Sequence, residues 1–149
     1  MTVFYQDSQI TLYQADVMDG LSHLGDESVQ CVVTSPPYWG LRDYGVAGQI
    51  GLEKTPEEYI DKMVTLFREA RRVLKQDGTL WLNLGDCYSS SNGGYYCNPD
   101  HHTTLVGGRP ESHKRPALKT LPAKNLLGIP WRVALALQAD GYAEQILCR

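Results

Sequence analysis

The sequence predicts an α/β fold of parallel strands joined by crossover helices, and three observations predict it. Two short runs rich in apolar and β-branched residues, Val29–Val33 and Thr79–Leu84, have the length and composition of buried strands. A stretch of helical periodicity from Thr55 to Leu74 separates them and is long enough to cross between parallel neighbours. Turn residues (Gly25–Ser28, Asp77-Gly78, Gly85-Asp86) punctuate each change of period.

In chain order, Gln9–Gln14 alternates and carries β-formers, so it reads as a first strand ending at Ala15-Asp16-Val17. A short helix from Val17 to Leu24 and the turn before Val29 then make a strand-helix-strand unit, expected as a parallel pair. Asp16 would stand at the carboxyl end of its strand, where open α/β sheets bind ligands, or serve as a helix N-cap. Leu41–Lys54 is glycine-rich and reads as a long mobile loop, a lid or an element facing a partner. Thr55-Pro56-Glu57-Glu58 is a helix start with an N-cap, a first-turn proline and a capping-box glutamate. Tyr59, Met63, Phe67, Ala70 and Leu74 form its buried stripe, and Arg68, Arg71, Arg72 and Lys75 suit its C-terminal end as scaffold. Asp77-Gly78 is expected to end that helix. Residues 88–123, opening on a Ser/Asn/Gly run, lack periodicity and read as a flexible insert. Leu126–Ala139 reads as a further helix with Trp131, Ala134, Leu135 and Gln138 on one face and Gly141 at its C′ position.

Length and composition bound the function. The 149 residues make one domain at most, and no apolar run approaches the roughly 18 residues of a membrane span. The N-terminus lacks the regions of a signal peptide, so a cytoplasmic protein without a membrane partner is expected. The four cysteines are expected as free thiols, with Cys31 in the core. Cys97, His101 and His102 lack a paired Cys-x-x-Cys, so no metal is expected. Net charge is −3, but residues 1–100 hold 7 Lys+Arg against 14 Asp+Glu, while 101–149 hold 7 against 3. The basic cluster Arg109, Lys114, Arg115, Lys119, Lys124 and Arg132 is compatible with phosphate contacts and equally with a solvated loop.

The chemistry concentrates in Thr34-Ser35-Pro36-Pro37-Tyr38-Trp39-Gly40. Two prolines cannot donate ladder hydrogen bonds, so the Val29 strand stops and a stiff turn presents a hydroxyl, carbonyls and aromatic rings. A flat amino-bearing ring stacked on Tyr38 would donate its exocyclic hydrogens to Ser35 Oγ and the Pro36 carbonyl. Acceptors holding those hydrogens favour a more tetrahedral nitrogen with its lone pair free to attack a methyl group.

Ser35-Pro36-Pro37-Tyr38 resembles the (Asp/Asn/Ser)-Pro-Pro-(Tyr/Phe) catalytic motif of the DNA amino-methyltransferases, and Trp39–Gly45 resembles a bacterial and phage subgroup. That resemblance implies a Rossmann-like fold, S-adenosylmethionine as cofactor, and N4 of cytosine or N6 of adenine in DNA as methyl acceptor. It implies Ser35, Pro36, Pro37 and Tyr38 as catalytic, Asp16 and Thr34 at the cofactor, and Trp39, Arg42 and Asp86 at the base pocket or DNA. Arg109, Lys114, Arg115 and Lys119 would contact DNA, and Asn83 and Gly85 would either join Asp86 in the pocket wall or, with it, simply punctuate the strand end. Tyr95, Tyr96, His101 and His102 would stack on bases or belong to a disordered loop that needs no such role. The family's glycine-rich cofactor turn does not appear after any apolar strand. The chain therefore reads as the N-terminal part, residues 1–149, of a permuted DNA methylase N-4/N-6 domain lacking its glycine-rich half. A homodimer or a further C-terminal segment is the expected partner. Two other readings stay open: an RNA or protein-glutamine methyltransferase, and an inactive remnant that still binds DNA.

Overall fold

A computed structural model describes residues 1–89, 121–142 and 146–148. Among these, the strands β1 (Thr2–Gln6) and β2 (Thr11–Gln14) form an antiparallel hairpin in a sheet of their own. The Asp7 carboxylate closes the connecting turn by accepting from the Gln9 and Ile10 amides, both at 2.7 Å. This corrects the expected parallel pairing of Gln9–Gln14 with Val29–Val33. A preceding strand with the same alternation was available as partner, and four turn residues join it far more cheaply than a crossover.

After the short helix α1 (Val17–Ser22), the chain enters β3 (Val29–Thr34), α2 (Pro56–Val73) and β4 (Leu74–Leu82). The helix α3 (Ile129–Ala139) precedes β5 (Ile146–Cys148). The second sheet runs β3-β4-β5 and is parallel throughout. Strand order follows chain order, so right-handed crossovers put α2 and α3 on the same face. There they share one core in which Tyr59, Met63, Phe67 and Ala70 of α2 meet Leu80 and Leu82 of β4 and Val133 and Leu137 of α3. On the other face Cys31, Val33 and Trp81 are exposed. Cys31 was expected in the core, but its register partner is Thr79, which puts it on the face the two helices leave bare.

The α2 start is as the sequence indicates. Thr55 Oγ1 accepts from the Glu58 amide at 3.2 Å, and the Glu58 carboxylate accepts from Lys54, one residue before the usual capping-box donor. Its end differs: the helix stops at Val73 and β4 begins at once, with the ladder skipping from Leu74 to Thr79. Asp77-Gly78 therefore lies within that irregularity of β4 and does not terminate α2. The arginines tie elements together. Arg72 reaches the carbonyls of Leu21 and Leu24 and the Asp26 carboxylate, while Arg68 forks onto Asp140. In α3 the buried residues are Ile129, Val133 and Leu137; Trp131 and Leu135 point outward. Gly141, at φ 101°, closes that helix as a Schellman turn: its amide reaches Gln138 O and the Tyr142 amide reaches Leu137 O.

Candidate active site

The diproline turn follows β3 directly, at the carboxyl end of the sheet, where parallel sheets present their ligand sites. The Thr34 carbonyl takes the Asn83 amide at 3.0 Å, so the β3–β4 ladder holds up to the last residue before Ser35. Beyond it Pro36 is buried, Pro37 and Tyr38 are half-buried, and Ser35 is exposed.

Three contacts fix the corner from behind. The hydroxyl of Tyr59, fully buried on α2, donates to the Pro37 carbonyl at 3.0 Å. Burial pushes the Tyr59 phenol above its ordinary value, with the neighbouring Glu53 and Tyr38 adding to the effect, so it keeps its proton. The Gly40 amide donates to Gly51 O at 2.7 Å, and a Cβ on Gly51 would stand 2.8 Å from the Tyr38 carbonyl. With φ of 100° as well, that position requires glycine. Glu53 anchors this part of the loop. Its Oε2 accepts from the Gly51 amide at 2.9 Å, its main-chain carbonyl accepts the Trp39 indole at 3.0 Å, and Lys62 lies 2.9 Å from Oε1.

In front, Ser35 Oγ donates to Tyr38 Oη at 3.1 Å. The Tyr38 ring is seated against Gly85, where an added Cβ would come within 2.5 Å of the ring. Ser35, Pro36, Tyr38, Leu41, Arg42 and Tyr44 line an open cleft of about 310 Å³. That is the low end of the ~300–1,000 Å³ typical of small-molecule sites. The Leu41–Lys54 loop supplies the outer wall and is folded on itself. Gln49 accepts from the Tyr44 amide and donates to Arg42 O, both at 2.7 Å.

The structure thus brings Ser35, Pro36, Pro37, Tyr38 and Arg42 to one cleft, with Gly85 behind the Tyr38 ring. Trp39, expected at the base pocket, lies in the core with its indole on Glu53, because the turn sends alternate rings to opposite sides. Asp86, also expected there, spends its carboxylate on the backbone amides of Cys87, Gly128 and Ile129 at 2.8–3.1 Å, anchoring the start of α3. Asp16 caps α1 through the Met18 amide at 2.9 Å. Arg109, Lys114, Arg115 and Lys119 lie outside the described residues, as do Tyr95, Tyr96, Cys97, His101, His102 and nearly all of the expected insert. Among the described residues there is no cluster of three or more metal-ligating side chains. The contributions of Tyr59, Gly51, Glu53, Leu41 and Tyr44 are not apparent from sequence; only the Tyr59 position in the helical stripe marks it as inward-facing.

The family described as DNA methylase matches residues 29–146, which include the turn, both flanking strands and the two helices behind them. The chain belongs to the DNA methylase family. The chain is 48% identical over 136 residues to the type II methyltransferase M.Cfr9I of Citrobacter freundii, covering 89% of the chain and 43% of that relative. It is 49% identical over 127 residues to M.SmaI of Serratia marcescens, covering 85% and 42%. It is 54% identical over 127 residues to M.MwoI of Methanothermobacter wolfeii, covering 85% and 15%. The chain thus spans less than half the length of these curated relatives. No solved structure matches it.

S-adenosylmethionine is the methyl donor that the family implies. In this chain neither Asp16 nor Thr34 lines the cleft. Asp16 lies between β2 and α1, and its carboxylate is already used in capping that helix. The described residues do not by themselves form a seat for that cofactor.

Proposed function

We propose that this chain carries the catalytic-turn portion of a site-specific DNA amino-methyltransferase, which transfers a methyl group from S-adenosylmethionine to N4 of cytosine or N6 of adenine. One observation carries the reading: the Ser35-Pro36-Pro37-Tyr38 corner at the end of β3 opens onto a cleft with an exposed hydroxyl and a half-buried aromatic ring. A Tyr38 buried in the interior, with no cavity beside Ser35, would have ended it. The target base leaves the duplex to reach this cleft, since its amine is otherwise stacked and paired. Ser35 Oγ and the Pro36 carbonyl then hold the amine's hydrogens, Tyr38 stacks on the ring, and Arg42 at the rim takes a phosphate. No step needs a thiol, so Cys31→Ser leaves transfer unchanged. The parallel β3-β4-β5 unit with helices on one face is read as part of a Rossmann-like sheet without its glycine-rich half. Among the described residues no helix is long and apolar enough to cross a membrane. We place the protein in the cytoplasm with DNA as partner, joined by a second copy or a further C-terminal segment, and assign Arg109, Lys114, Arg115 and Lys119 to phosphates.

The test is tritium transfer from S-adenosyl-[methyl-³H]methionine onto DNA, RNA and protein pools, comparing the wild-type chain with Ser35→Ala. Transfer to DNA that falls about 100-fold in Ser35→Ala, with DNA binding retained, is expected. Label appearing in RNA or protein instead redirects the substrate, and an unchanged Ser35→Ala rate removes the serine from the mechanism. The absence of Asp16 from the cleft lining favours a second reading, a DNA-binding chain without catalysis. Calorimetry with S-adenosylmethionine distinguishes the two, because only a competent enzyme binds it.

A further inference from the structure

The Leu41–Lys54 loop carries Leu41, Arg42 and Tyr44 into the cleft wall, and an open hollow of about 570 Å³ lies between its Gly45–Gln49 stretch and Glu53 and Lys62. The tip keeps its own shape. Gln49 ties Tyr44 to Arg42, and the Asp43 carboxylate accepts from the Gly45 amide at 2.8 Å. The direction in which that tip points is therefore set at its base, where one residue holds both limbs. On the entry limb the Trp39 indole donates to the Glu53 carbonyl at 3.0 Å. On the exit limb the Gly51 amide donates to Glu53 Oε2 at 2.9 Å, and Gly51 O takes the Gly40 amide. The Glu53 side chain is only 2% exposed, and its other oxygen, Oε1, receives no directed hydrogen bond among the described residues. What faces Oε1 is the Lys62 ammonium of α2, at 2.9 Å and half exposed. A carboxylate so buried is tolerated only with a cation opposite it.

We propose that the Glu53–Lys62 ion pair is a latch that fixes the aim of the loop, so that both residues position the cleft wall although neither lines the cleft. The consequence for a ligand rests on the reading of the cleft as a base site; the latch itself does not. Such a latch fails asymmetrically. Removing the lysine leaves a buried charge unpaired, and Glu53 can reach water only by letting go of Gly51 and Trp39. Removing the glutamate charge merely returns a half-exposed lysine to water. Once Glu53 is neutral, Lys62 has nothing left to neutralise.

The test uses the whole chain without a methyl donor. Hydrogen exchange is followed at the Trp39 indole, assigned with Trp39→Phe, and at the Gly51 amide, with the Phe67 amide as the control for folding. Lys62→Met is expected to speed exchange at Trp39 and Gly51 about tenfold and to leave Phe67 unchanged. Glu53→Gln stays within about threefold of the wild type, and Glu53→Gln/Lys62→Met matches Glu53→Gln. That rescue is one that loss of the lysine stem's packing would not give. The same samples are titrated with 2′-deoxycytidine and 2′-deoxyadenosine, read at the Leu41, Arg42 and Tyr44 amides. Lys62→Met is expected to bind about fivefold more weakly whichever nucleoside the wild type binds, with affinity restored in the double variant. Wild-type exchange in Lys62→Met, or a double variant that exchanges as fast as Lys62→Met, overturns the latch. Faster exchange with unchanged nucleoside affinity overturns its role in positioning the wall. A wild-type chain that binds neither nucleoside overturns the base-site reading instead, and exchange alone then decides the latch.

Discussion

Gly85 and Tyr38 show how much of a functional surface is decided by an atom that is absent. The Tyr38 ring occupies the space a Gly85 side chain would fill, and an added methyl would meet backbone-anchored ring carbons at 2.5 Å. Gly85 does not sit at positive φ, so alanine meets no backbone penalty there and the clash acts on the ring alone. Gly85→Ala is expected to swing Tyr38 out of its seat and break its contact with Ser35. Methyl transfer should fall at least tenfold while the melting temperature moves by only a few degrees. A normal rate in Gly85→Ala would mean that the ring's position is unimportant. The diproline corner itself was legible because its information is local: consecutive prolines after a β-branched run dictate the turn without reference to the rest of the chain. The seat was not legible, because Gly85 and Tyr38 are 47 positions apart and nothing local marks the pair.

Helix α3 is positioned by a carboxylate from another element. Its N-cap is Gly128, which has no side chain to offer, and Asp86 reaches across to the Gly128 and Ile129 amides instead. Asp86→Ala should cost about 0.5–2 kcal/mol by chemical denaturation, the range for a lost cap. A variant as stable as the wild type would show the contact to be incidental. At the other end of α3, the forked Arg68 hydrogen bonds hold the Asp140 carboxyl below its ordinary value, aided by the charges of Arg68 and Arg71. A carboxyl depressed on folding contributes stability that is present above the unfolded value of 3.8 and is lost as pH falls through the lower folded one. Asp140→Asn should therefore flatten the acid limb of the melting-temperature profile below about pH 5 and matter less at high salt. An unaltered acid limb would put the acid sensitivity elsewhere. Among the elements, α2 was readable from Thr55-Pro56 and one apolar stripe, since cap and stripe are contiguous signals. The α3 face was harder, because Trp131 and Leu135 have the same spacing as Val133 and Leu137. Only the neighbours of the helix decide which pair turns inward.

For the molecule as a whole, the partition of tryptophans reports the single-sided sheet. Trp39 is 3% exposed, whereas Trp81 on the bare sheet face is 41% exposed and Trp131 is 71% exposed. Acrylamide should quench two of the three emitters readily and leave a protected, blue-shifted component that Trp39→Phe abolishes. Uniform protection would mean that the bare face is covered in solution. Sequence pattern gave the parallel β3–β4 pair correctly, because crossover length and composition are intrinsic to the chain. It misassigned β2, because which strand pairs with which depends on competition between partners distant in sequence. The brace behind the corner has one more consequence. Tyr59, Gly51, Glu53 and Gly85 all precede residue 86, whereas α3 begins at Ile129. On the ribosome every group that shapes the clamp emerges before the helix that later shields α2, so the nascent chain exposes an oily flank while its chemistry is already specified.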